Sequence, residues 1–418
     1  MAHDETKRFN AIVVGAGPGG SSCATFLSKT GVNVLLLDKE FFPRDKICGD
    51  GISARSLDIL RELGVLEKIE SIPLRKISGF TFSSPDGTLV DIPIPKRGGN
   101  IRHGYAIRRL LLDNLLFQNA KEHSIKTMEG FTVTGLIKDS HSSRVVGVEG
   151  TMSDGQKKTF YADVIVGADG VNSIVARETG ARHGDIAHLG VSLRCYYRGV
   201  GDMKGNLELH FLDKLIPGYF WILPMANGFA NVGIGIVMAE MRAKKINLKN
   251  ELFRTIENNP VLKDRFKDST VVPGTLKGGT IPFGSKRWKA YGNGWLLVGD
   301  AASLVNPFTG EGIENALYSG RLVAAVISEA YLKKDYSESQ FSSYEHALKK
   351  ELDPILQNSY QMQKRSRSGF LLNLFMHKAA RNQKVRDLMA STLTDVNSRQ
   401  IYSSLFIYLR MVLTPPYW

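Results

Sequence analysis

The feature that most constrains this chain is a glycine-rich turn between a short buried strand and an apolar-periodic helix. Residues 10–14 predict the strand and residues 19–30 the helix. Between them the spacing is Gly-x-Gly-x-x-Gly, at Gly15, Gly17 and Gly20. A second buried strand, Val32–Leu37, ends at Asp38, which completes a βαβ unit of the size that binds nucleotides.

Each glycine of this turn, and the acid after the second strand, has a physical role that its residue type satisfies. Gly15 permits the tight turn, Gly17 lets backbone N–H groups approach a pyrophosphate, and Gly20 lets the helix pack closely on the strand. The helix N-terminus adds partial positive charge. Asp38 is placed to accept hydrogen bonds from the ribose of an adenosine. The alternative, a chance glycine-rich turn, does not explain the acid at the strand end.

A second motif, in residues 295–316, combines a buried strand, an acid and a glycine-rich turn that opens a helix. The strand 295–298 delivers Asp300 to the sheet edge, and the turn carries Gly310 and Gly312 before Ile313. An acid there can bind a polyol such as ribityl, and the helix N-terminus can stabilise negative charge on a reduced flavin. An ordinary crossover with a glycine hinge is the alternative. The two motifs together predict bound FAD.

The remaining segments predict an α/β fold with a Rossmann-like FAD-binding domain, an antiparallel β-sheet substrate domain and a C-terminal helical region. Hairpins are predicted over residues 77–94 and around Asp154-Gly155, a helix over Arg109–Ala120, and a buried strand at 164–166. Alternating strands dominate from about 186 to 283. The FAD-binding domain is expected to be discontinuous. The predicted boundaries are 1–76, 102–180 and 285–335 for the FAD-binding domain, 77–101 and 181–284 for the substrate domain, and 336–418 for the helical region.

Charge and cysteine content narrow the classes of partner. The formal net charge of +13 would attract an anionic cofactor or substrate, a membrane surface or nucleic acid. No basic run with interleaved aromatic residues occurs, so no nucleic-acid partner is expected. The three cysteines form no C-x-x-C pair and no metal-ligand spacing, which predicts a reducing, cytoplasmic setting without a metal.

Two further stretches give the sequence a family resemblance. They are Pro43–Gly51 (PRDKICGDG), and Pro217–Pro224 (PGYFWILP) followed by 231–235 (NVGIG). With the two glycine-rich motifs and residues 167–170 (GADG), the sequence resembles flavoproteins of the p-hydroxybenzoate hydroxylase fold and, among them, the geranylgeranyl reductase family. The resemblance implies an FAD-dependent reductase that saturates C=C bonds of a geranylgeranyl or other polyprenyl chain in an isoprenoid lipid or quinone.

The resemblance, which covers roughly residues 9–330, implies roles for individual residues. Cys48 would lie beside the flavin as a catalytic residue, with Tyr219 as a second catalytic candidate. Tyr219 and Trp221 would line a prenyl channel, with Pro224 as a further substrate contact. The FAD-contacting positions that the motifs and the resemblance imply are Gly15, Gly17, Gly20, Asp38, Lys39, Arg44, Cys48, Gly49, Arg109, Asp169, Gly170, Asp300, Pro307, Gly310, Gly312 and Ile313.

Several of these assignments have a plain structural alternative. Arg108 is an alternative to Arg109 as the family's cofactor-contacting arginine. Tyr219 and Trp221, two residues apart, also fit one face of a packed sheet. Cys48 also fits a small, inert core residue.

The implied reaction needs an electron donor and an acid. NADPH or a reduced ferredoxin would reduce the flavin, since no second Gly-x-Gly-x-x-Gly predicts a separate NADPH domain. Reduced flavin would deliver hydride to one alkene carbon, and a nearby acid would protonate the other, because an isolated alkene is a poor hydride acceptor. Excluding water would make that acid more effective.

Two other functions stay open from the sequence. One is a flavin-dependent monooxygenase or halogenase acting on an aromatic substrate, because Tyr-x-Trp-x-x-Pro also resembles the halogenase signature Trp-x-Trp-x-x-Pro. The other is a protein that binds FAD or a lipid without catalysis.

The C-terminal part of the chain predicts a peripheral membrane contact. Residues 361–410 carry nine basic and two acidic residues, a net charge of +7, and apolar clusters lie at 370–376 and 405–413. No uninterrupted apolar stretch could cross a bilayer core about 30 Å thick. A basic helical surface with an apolar face can instead lie among lipid headgroups. The alternative is that these helices cap the FAD-binding domain or form a dimer interface.

Overall fold

The structure is a computed structural model that describes residues 8–394, except residues 95, 98–99, 102 and 182–183. Its strands in chain order are β1 (Arg8–Val14), β2 (Val34–Leu37), β3 (Gly51–Ile52), β4 (Arg75–Ile77), β5 (Gly79–Ser83), β6 (Leu89–Pro93), β7 (Lys96–Arg97), β8 (Asn100–Ile101), β9 (Gly104–Ala106), β10 (Lys126–Met128), β11 (Phe131–Lys138), β12 (Val145–Met152), β13 (Lys157–Gly167), β14 (Leu189–Arg198), β15 (Asn206–His210), β16 (Tyr219–Pro224), β17 (Phe229–Val237), β18 (Thr270–Val271), β19 (Lys277–Pro282), β20 (Tyr291–Gly292) and β21 (Trp295–Leu297).

The helices in chain order are α1 (Pro18–Ser28), α2 (Ser56–Glu62), α3 (Leu66–Glu70), α4 (Arg109–Glu122), α5 (Ile174–Glu178), α6 (Met238–Ala243), α7 (Leu248–Asn258), α8 (Lys263–Phe266), α9 (Ile313–Lys333), α10 (Glu338–Glu351), α11 (Asp353–Arg365), α12 (Gly369–Arg381) and α13 (Gln383–Thr394).

The first sheet brings the sequence motifs to one edge. Its strands β10, β2, β1 and β13 are parallel neighbours, and β21 pairs in parallel with β13. Val14 is in register with Leu37 and with Gly167, and Gly167 is in register with Leu297. Four strands therefore end in one row, so that the loops which follow them meet at the carboxyl edge, where open α/β sheets bind ligands.

Strand β13 is longer than the sequence pattern indicated. The predicted hairpin around Asp154-Gly155 is confirmed, but its second strand and the predicted strand at 164–166 are one continuous element. The first half of β13 is antiparallel to β12, and the second half is parallel to β1. This strand thus joins an antiparallel extension, β11–β12, to the parallel core.

Helices α1 and α9 pack against each other through glycines. A Cβ on Gly320 would lie 2.5 Å from the carbonyl oxygen of Gly19, and a Cβ on Gly19 would lie 3.2 Å from that of Ala316. The Ser22 hydroxyl donates to the Leu317 carbonyl at 2.9 Å. The two helices that open the glycine-rich motifs are therefore fixed relative to each other.

The second sheet has the order β18-β14-β17-β16-β15-β5-β6, with β19 also paired to β14. The predicted hairpin over 77–94 is confirmed as β5–β6. The predicted antiparallel arrangement holds for the pairs within 186–283, whereas β15 and β5 are parallel. Strands dominate this segment as predicted, and helices α6, α7 and α8, which the sequence pattern did not indicate, lie between them.

The two faces of the second sheet have different covers. On one face, Phe220 and Ile222 pack with Leu252, Ile256 and Phe266 of α7 and α8. On the other, the alternate residues Tyr219, Trp221 and Leu223 belong to an apolar cluster that α12 and α13 complete with Leu372, Met376, Val385 and Met389. We call this second group the sheet-face cluster.

The C-terminal helices pack against two different sheets. Helix α10 contacts the first sheet, where the Tyr344 hydroxyl donates to the Leu297 carbonyl at 2.9 Å. Helices α12 and α13 pack on the second sheet, and His377 on α12 bonds Asp86 in the β5–β6 turn at 2.6 Å. None of the described helices has the length and apolarity needed to cross a membrane.

The predicted domain segments follow the two sheets. Strands of the first sheet fall in 1–76, 102–180 and 285–335, and strands of the second fall in 77–101 and 181–284. In a small third sheet, β3-β9-β4, each strand lies along the chain between a strand of one large sheet and a strand of the other. The boundaries themselves stay a prediction.

We expect Gly20→Ala to lower the free energy of unfolding of the FAD-free protein by about 3 kcal/mol, because overpacking has no room to relax here. The new Cβ would lie 1.8 Å from the Gly15 carbonyl oxygen. Gly184→Ala is the control, since its Cβ would meet none of the described residues within 4 Å. Urea unfolding followed by circular dichroism gives both values. Equal stability of the two variants would contradict the close packing of the turn.

Candidate active site

The glycine-rich turn after β1 is closed on one side and open on the other. Gly15 has φ +101°, and its Cβ would lie 2.5 Å from the Ala168 carbonyl oxygen. At Gly17, by contrast, a Cβ would approach, among the described residues, only the Arg44 guanidinium, at 3.7 Å. The N-terminus of α1 therefore faces open space, and an anionic group can approach its backbone N–H groups.

Asp38 braces this turn from the end of β2. Its carboxylate accepts from the backbone N–H of Ala16 at 2.7 Å and from that of Glu40 at 2.9 Å, and its side chain is 7% exposed. The Arg44 guanidinium lies 3.8 Å away. Because each carboxylate oxygen can accept two hydrogen bonds, a ribose contact stays compatible with these bonds. The neighbouring Lys39 is exposed.

A buried ion-pair cluster holds the arginines that the sequence indicated. Arg109 binds Asp113 through two hydrogen bonds of 2.6 and 2.7 Å, and Arg44 reaches the same carboxylate at 2.8 Å. Burial by itself would raise the pKa of Asp113, but the two arginines hold it below its ordinary value. The alternative Arg108 instead stacks over the Tyr196 ring at 5.0 Å. The geometry therefore favours Arg109 as the arginine inside the site.

The loops after β13 and β21 extend the open edge. Asp169 accepts from the Ile174 N–H at 2.7 Å through one oxygen, while its other oxygen is buried and has no hydrogen-bond partner among the described residues. The Asp300 carboxylate lies 3.4 Å from Lys46 Nζ. Among the described residues beyond its chain neighbours, a Cβ on Gly170 would come no nearer than 4.0 Å to any, and one on Gly49 would meet none within 4 Å.

These observations fit FAD. The cofactor is elongated and carries its own phosphates and hydroxyl groups. The open glycine surfaces at Gly17, Gly49 and Gly170 leave room for it, and the unpaired oxygen of Asp169 offers it an acceptor. The contacts of the individual predicted residues with FAD stay predictions.

The turn before α9 carries the second group of predicted residues. Asn306 fixes it by accepting from the N–H groups of Phe308 and Thr309 at 2.9 and 3.0 Å, and Gln363 donates to the Pro307 carbonyl. Gly310 has φ +69°. Gly312 then caps α9, whose first residue is Ile313.

Tyr219 connects this turn to the second sheet. Its hydroxyl donates to the Thr309 carbonyl, and a Cβ on Gly310 would lie 3.3 Å from the same hydroxyl. Burial raises the pKa of Tyr219 above its ordinary value. Because the Tyr219 hydroxyl is already hydrogen-bonded and its pKa is raised, Tyr219 is better suited to line the site than to donate a proton.

A buried hydrogen-bond network joins Cys48 to Trp221. The Trp221 indole N–H donates to the Asn231 side-chain oxygen at 2.9 Å. The Asn231 amide group then donates to the Cys48 carbonyl at 2.9 Å and to the Asp50 carboxylate at 2.8 Å. Asp50 also accepts from the Tyr196 hydroxyl at 2.5 Å. The candidate catalytic residue and a candidate substrate residue thus belong to one unit.

The sequence reasoning missed three members of this network, Asp50, Tyr196 and Asn231. A signal was present for two of them, because Asp50 and Asn231 lie inside the quoted stretches PRDKICGDG and NVGIG. Asp50 has φ +62° and is fully buried, so that a polar side chain there needs partners. Burial raises the pKa of its carboxyl group, while the hydrogen bonds from Tyr196 and Asn231 oppose the rise.

The Cys48 thiol is suited to hold a proton. Burial raises its pKa, and the guanidinium of Arg109 beside it acts in the opposite direction. The net rise keeps the thiol protonated at neutral pH, and Arg109 can stabilise the thiolate once the proton has left. Cys48 is half-buried, whereas Cys23 and Cys195 are buried. Within the described part of the chain, no group of three or more His, Cys, Asp or Glu side chains could hold a metal ion.

Comparison with known proteins gives one family over most of the chain. The family described as "FAD binding domain" matches residues 8–358. The chain is 32% identical over 331 residues to the menaquinone reductase of Mycobacterium tuberculosis, covering 78% of each protein. It is 31% identical over 342 residues to digeranylgeranylglycerophospholipid reductase 1 of Methanococcoides burtonii, covering 81% of this chain and 79% of that protein.

Solved structures share the fold. A geranylgeranyl bacteriochlorophyll reductase-like protein from Thermoplasma acidophilum superposes with a TM-score of 0.81 at 25% identity, covering 95% of this chain and all of the other. A flavin-dependent brominase superposes with a TM-score of 0.72 at 21% identity, covering 97% of this chain and 93% of the other. At that identity the second likeness shows the fold alone.

Gly17→Val should remove FAD without unfolding the protein. The side chain would fill the space in front of α1, yet a Cβ there has no protein contact closer than 3.7 Å, and the backbone is extended at φ −70°. We expect stoichiometric flavin absorbance in the unmodified protein and almost none in the variant. The unfolding transitions of the two FAD-free proteins should agree. Full flavin retention by the variant would place the pyrophosphate elsewhere.

Proposed function

The chain belongs to the geranylgeranyl reductase family of FAD-dependent oxidoreductases, and on this premise we propose that it saturates C=C bonds of a polyprenyl chain carried by an isoprenoid lipid or quinone. The observation that carries the proposal is the network from Cys48 through Asn231 to Trp221. It joins the backbone of Cys48, whose thiol could serve as a proton source, to Trp221 of the sheet-face cluster, and an alkene reductase needs both a proton source and an apolar binding surface.

The residues at the carboxyl edge of the first sheet are proposed to hold FAD. Gly17 and the N-terminus of α1 would face the pyrophosphate, Asp38 the ribose and Asp300 the ribityl chain. Gly310, Gly312 and the N-terminus of α9 would border the ring system. Bound FAD, once reduced by NADPH or a reduced ferredoxin, supplies the hydride.

Cys48 is proposed to supply the proton. Its thiol is protonated at neutral pH, for the reason given above, and the proton would pass from Sγ to the alkene carbon that does not receive hydride. Arg109, which lies beside the thiol, would stabilise the thiolate that remains. Solvent would then return the proton to Sγ.

The sheet-face cluster is proposed to bind the prenyl chain. Trp221 and Leu223 lie on it, and α12 and α13 cover it with Met376 and Met389. An unbranched, flexible methionine side chain adapts to an irregular apolar ligand more readily than a β-branched one. The cover also excludes water from the face.

The alternative is a monooxygenase or halogenase acting on an aromatic substrate. The likeness to the brominase supports only a shared fold, whereas the relatives that share more than 30% identity are named as reductases. The reductase function is therefore the better supported of the two.

Anaerobic incubation of the dithionite-reduced protein with a geranylgeranyl lipid tests the proposal. We expect mass gains in steps of two hydrogen atoms, because each saturated bond takes up a hydride and a proton. Reduction by dithionite bypasses the unidentified physiological donor. Products that form only in oxygen and carry a hydroxyl group or a halogen would overturn the proposal.

In the same assay, Cys48→Ala should lower turnover by a factor of about 10² or more, the usual contribution of a positioned acid. FAD content and the unfolding transition should stay unchanged. Cys195→Ala is the control, because Cys195 is buried in the hydrophobic core on the other face of the second sheet. Equal activity of the two variants would show that Cys48 is not the proton source.

We also propose that the protein takes its substrate from a membrane surface that its C-terminal region contacts. Part of the apolar cluster 370–376 is not free to contact a membrane, because Leu372 and Met376 pack on the second sheet. Phe370, at the start of α12, is 74% exposed. The second apolar cluster, 405–413, and the basic residues Arg399 and Arg410 lie outside the described residues.

Flotation with vesicles tests this contact. Binding should rise with the fraction of anionic lipid, fall with salt, and weaken in Phe370→Ser and after deletion of 400–418. Leu332→Ser is the matched control, because Leu332 is also exposed, at 81%, but lies on α9. No binding of the intact protein to anionic vesicles at low salt would rule out the contact.

A further inference from the structure

Asp50, two residues after Cys48 and directly before β3, has a main-chain conformation that few non-glycine residues adopt. Its φ of +62° is left-handed, a region that is unfavourable for most side chains and less so for aspartate. The residue is also fully buried. Its carbonyl oxygen accepts from the Ile107 N–H at 3.0 Å, and the next residue, Gly51, pairs with Ala106 of β9. Contacts with the end of β9 therefore hold Asp50 in this conformation.

The left-handed turn directs the backbone of Asp50 at the candidate proton donor. The Asp50 N–H donates to Cys48 Sγ at 3.4 Å, which suits the large, weakly accepting sulfur of a thiol. After the proton has left, the same N–H would face a charged sulfur, which is a stronger acceptor. The Arg109 guanidinium also lies beside the thiol. The Cys48 sulfur thus has a main-chain donor and a side-chain cation as neighbours.

Three different elements hold the carboxylate of Asp50. One oxygen accepts from the Arg109 backbone N–H of α4 at 3.2 Å. The other accepts from the Tyr196 hydroxyl of β14 at 2.5 Å and from the Asn231 amide of β17 at 2.8 Å. The two N–H groups can only donate, which suits an ionised carboxylate, because a protonated carboxyl group needs an acceptor for its own proton. Asp50 therefore brings a negative charge into the interior beside Cys48.

The charges around the thiol act in opposite directions. Arg109, from α4, favours the thiolate, and the negative charge of Asp50 disfavours it. From β14, the Arg194 guanidinium and the Tyr196 hydroxyl both favour the ionised form of Asp50, as does Asn231 from β17. The charge of Asp50 is thereby available to offset that of Arg109 at the sulfur.

We propose that Asp50 is a positioning residue for Cys48: its backbone N–H orients Sγ, and its negative charge keeps the proton on the thiol until a substrate alkene takes it. The inference rests on the proposed function, in which Cys48 is the proton source. When the S–H bond breaks, its electron pair stays on sulfur, and the proton forms a C–H bond at the alkene carbon that does not receive hydride. The Asp50 N–H and Arg109 then face the thiolate, while the Asp50 charge favours return of a proton from solvent.

The pH profile of Cys48 alkylation by iodoacetamide, followed by mass spectrometry in the FAD-bound protein, tests the inference. Asp50→Asn removes the negative charge, and asparagine also adopts the left-handed conformation readily. We expect the thiolate to form at lower pH, so that Cys48 reacts about tenfold faster at any pH below the midpoint of the profile. Asp50→Gly keeps the left-handed main chain without the carboxylate and should move the midpoint in the same direction.

Asp45→Asn is the matched control, because Asp45 lies in the same loop and its carboxylate pairs instead with Arg194 and Lys277. Its midpoint should equal that of the unmodified protein. A variant that merely loosens the loop would react faster at every pH, above the midpoint as well as below it, and its midpoint would not move. That result in Asp50→Asn and Asp50→Gly would overturn the inference.

The anaerobic reduction assay separates this inference from the proposed function. With a geranylgeranyl lipid, the loss of turnover at high pH should begin at lower pH in Asp50→Asn, in step with the alkylation midpoint. If that midpoint moves but neither the unmodified protein nor the variant reduces the lipid, Asp50 controls the thiol and the reductase proposal fails. If both reduce the lipid with one pH profile and the alkylation midpoint stays in place, the reductase proposal stands and the role of Asp50 is overturned.

Discussion

The side-chain amide of Asn231 joins the two parts of the candidate site. The Trp221 indole can only donate, so the amide oxygen has to face it, and the amide N–H groups then point at the Cys48 carbonyl and the Asp50 carboxylate. Every polar atom of this buried side chain is thereby satisfied with one orientation. Because Asn231 lies on β17 of the second sheet and Cys48 belongs to the loop after β2, this one residue fixes the position of that loop relative to the second sheet.

The buried ion-pair cluster of α4 and the loop after β2 acts as a second constraint. Asp113 is fully buried and would be costly to ionise alone, yet it binds Arg109 and Arg44. Arg44 extends from this pair towards Asp38 and the open side of Gly17, and Arg109 towards the Cys48 thiol. One buried carboxylate therefore positions a cation at the proposed pyrophosphate site and another at the proposed proton donor.

The sequence predicted the residues whose surroundings are set by neighbouring elements of the chain. It did not predict those whose hydrogen-bond partners are far away in sequence. Gly15, Gly17, Gly20 and Asp38 could be identified because a strand, a turn and a helix in succession determine what they face. The helices of 238–266 were missed, although Asn247 caps α7 and its buried residues are spaced at helical intervals. The bond between Asp50 and Asn231 spans 181 positions, and no local pattern indicates such a partner. A cavity beside Pro224 is likewise lined by three separate parts of the chain, residues 73–75, Met203 and residues 224–228.

The cover of the sheet-face cluster has a consequence for synthesis of the chain. Strands β5, β6, β15 and β16 precede residue 225, whereas the helices that shield their apolar face begin at Gly369. The strands are therefore synthesised well before helices α12 and α13. Until those helices are made, the side chains of Phe211, Trp221 and Leu223 stay exposed to solvent. A growing chain in this state presents the type of surface that aggregates or recruits chaperones. The late position of these helices in the chain thus makes the nascent protein dependent on protection of this apolar face until they dock.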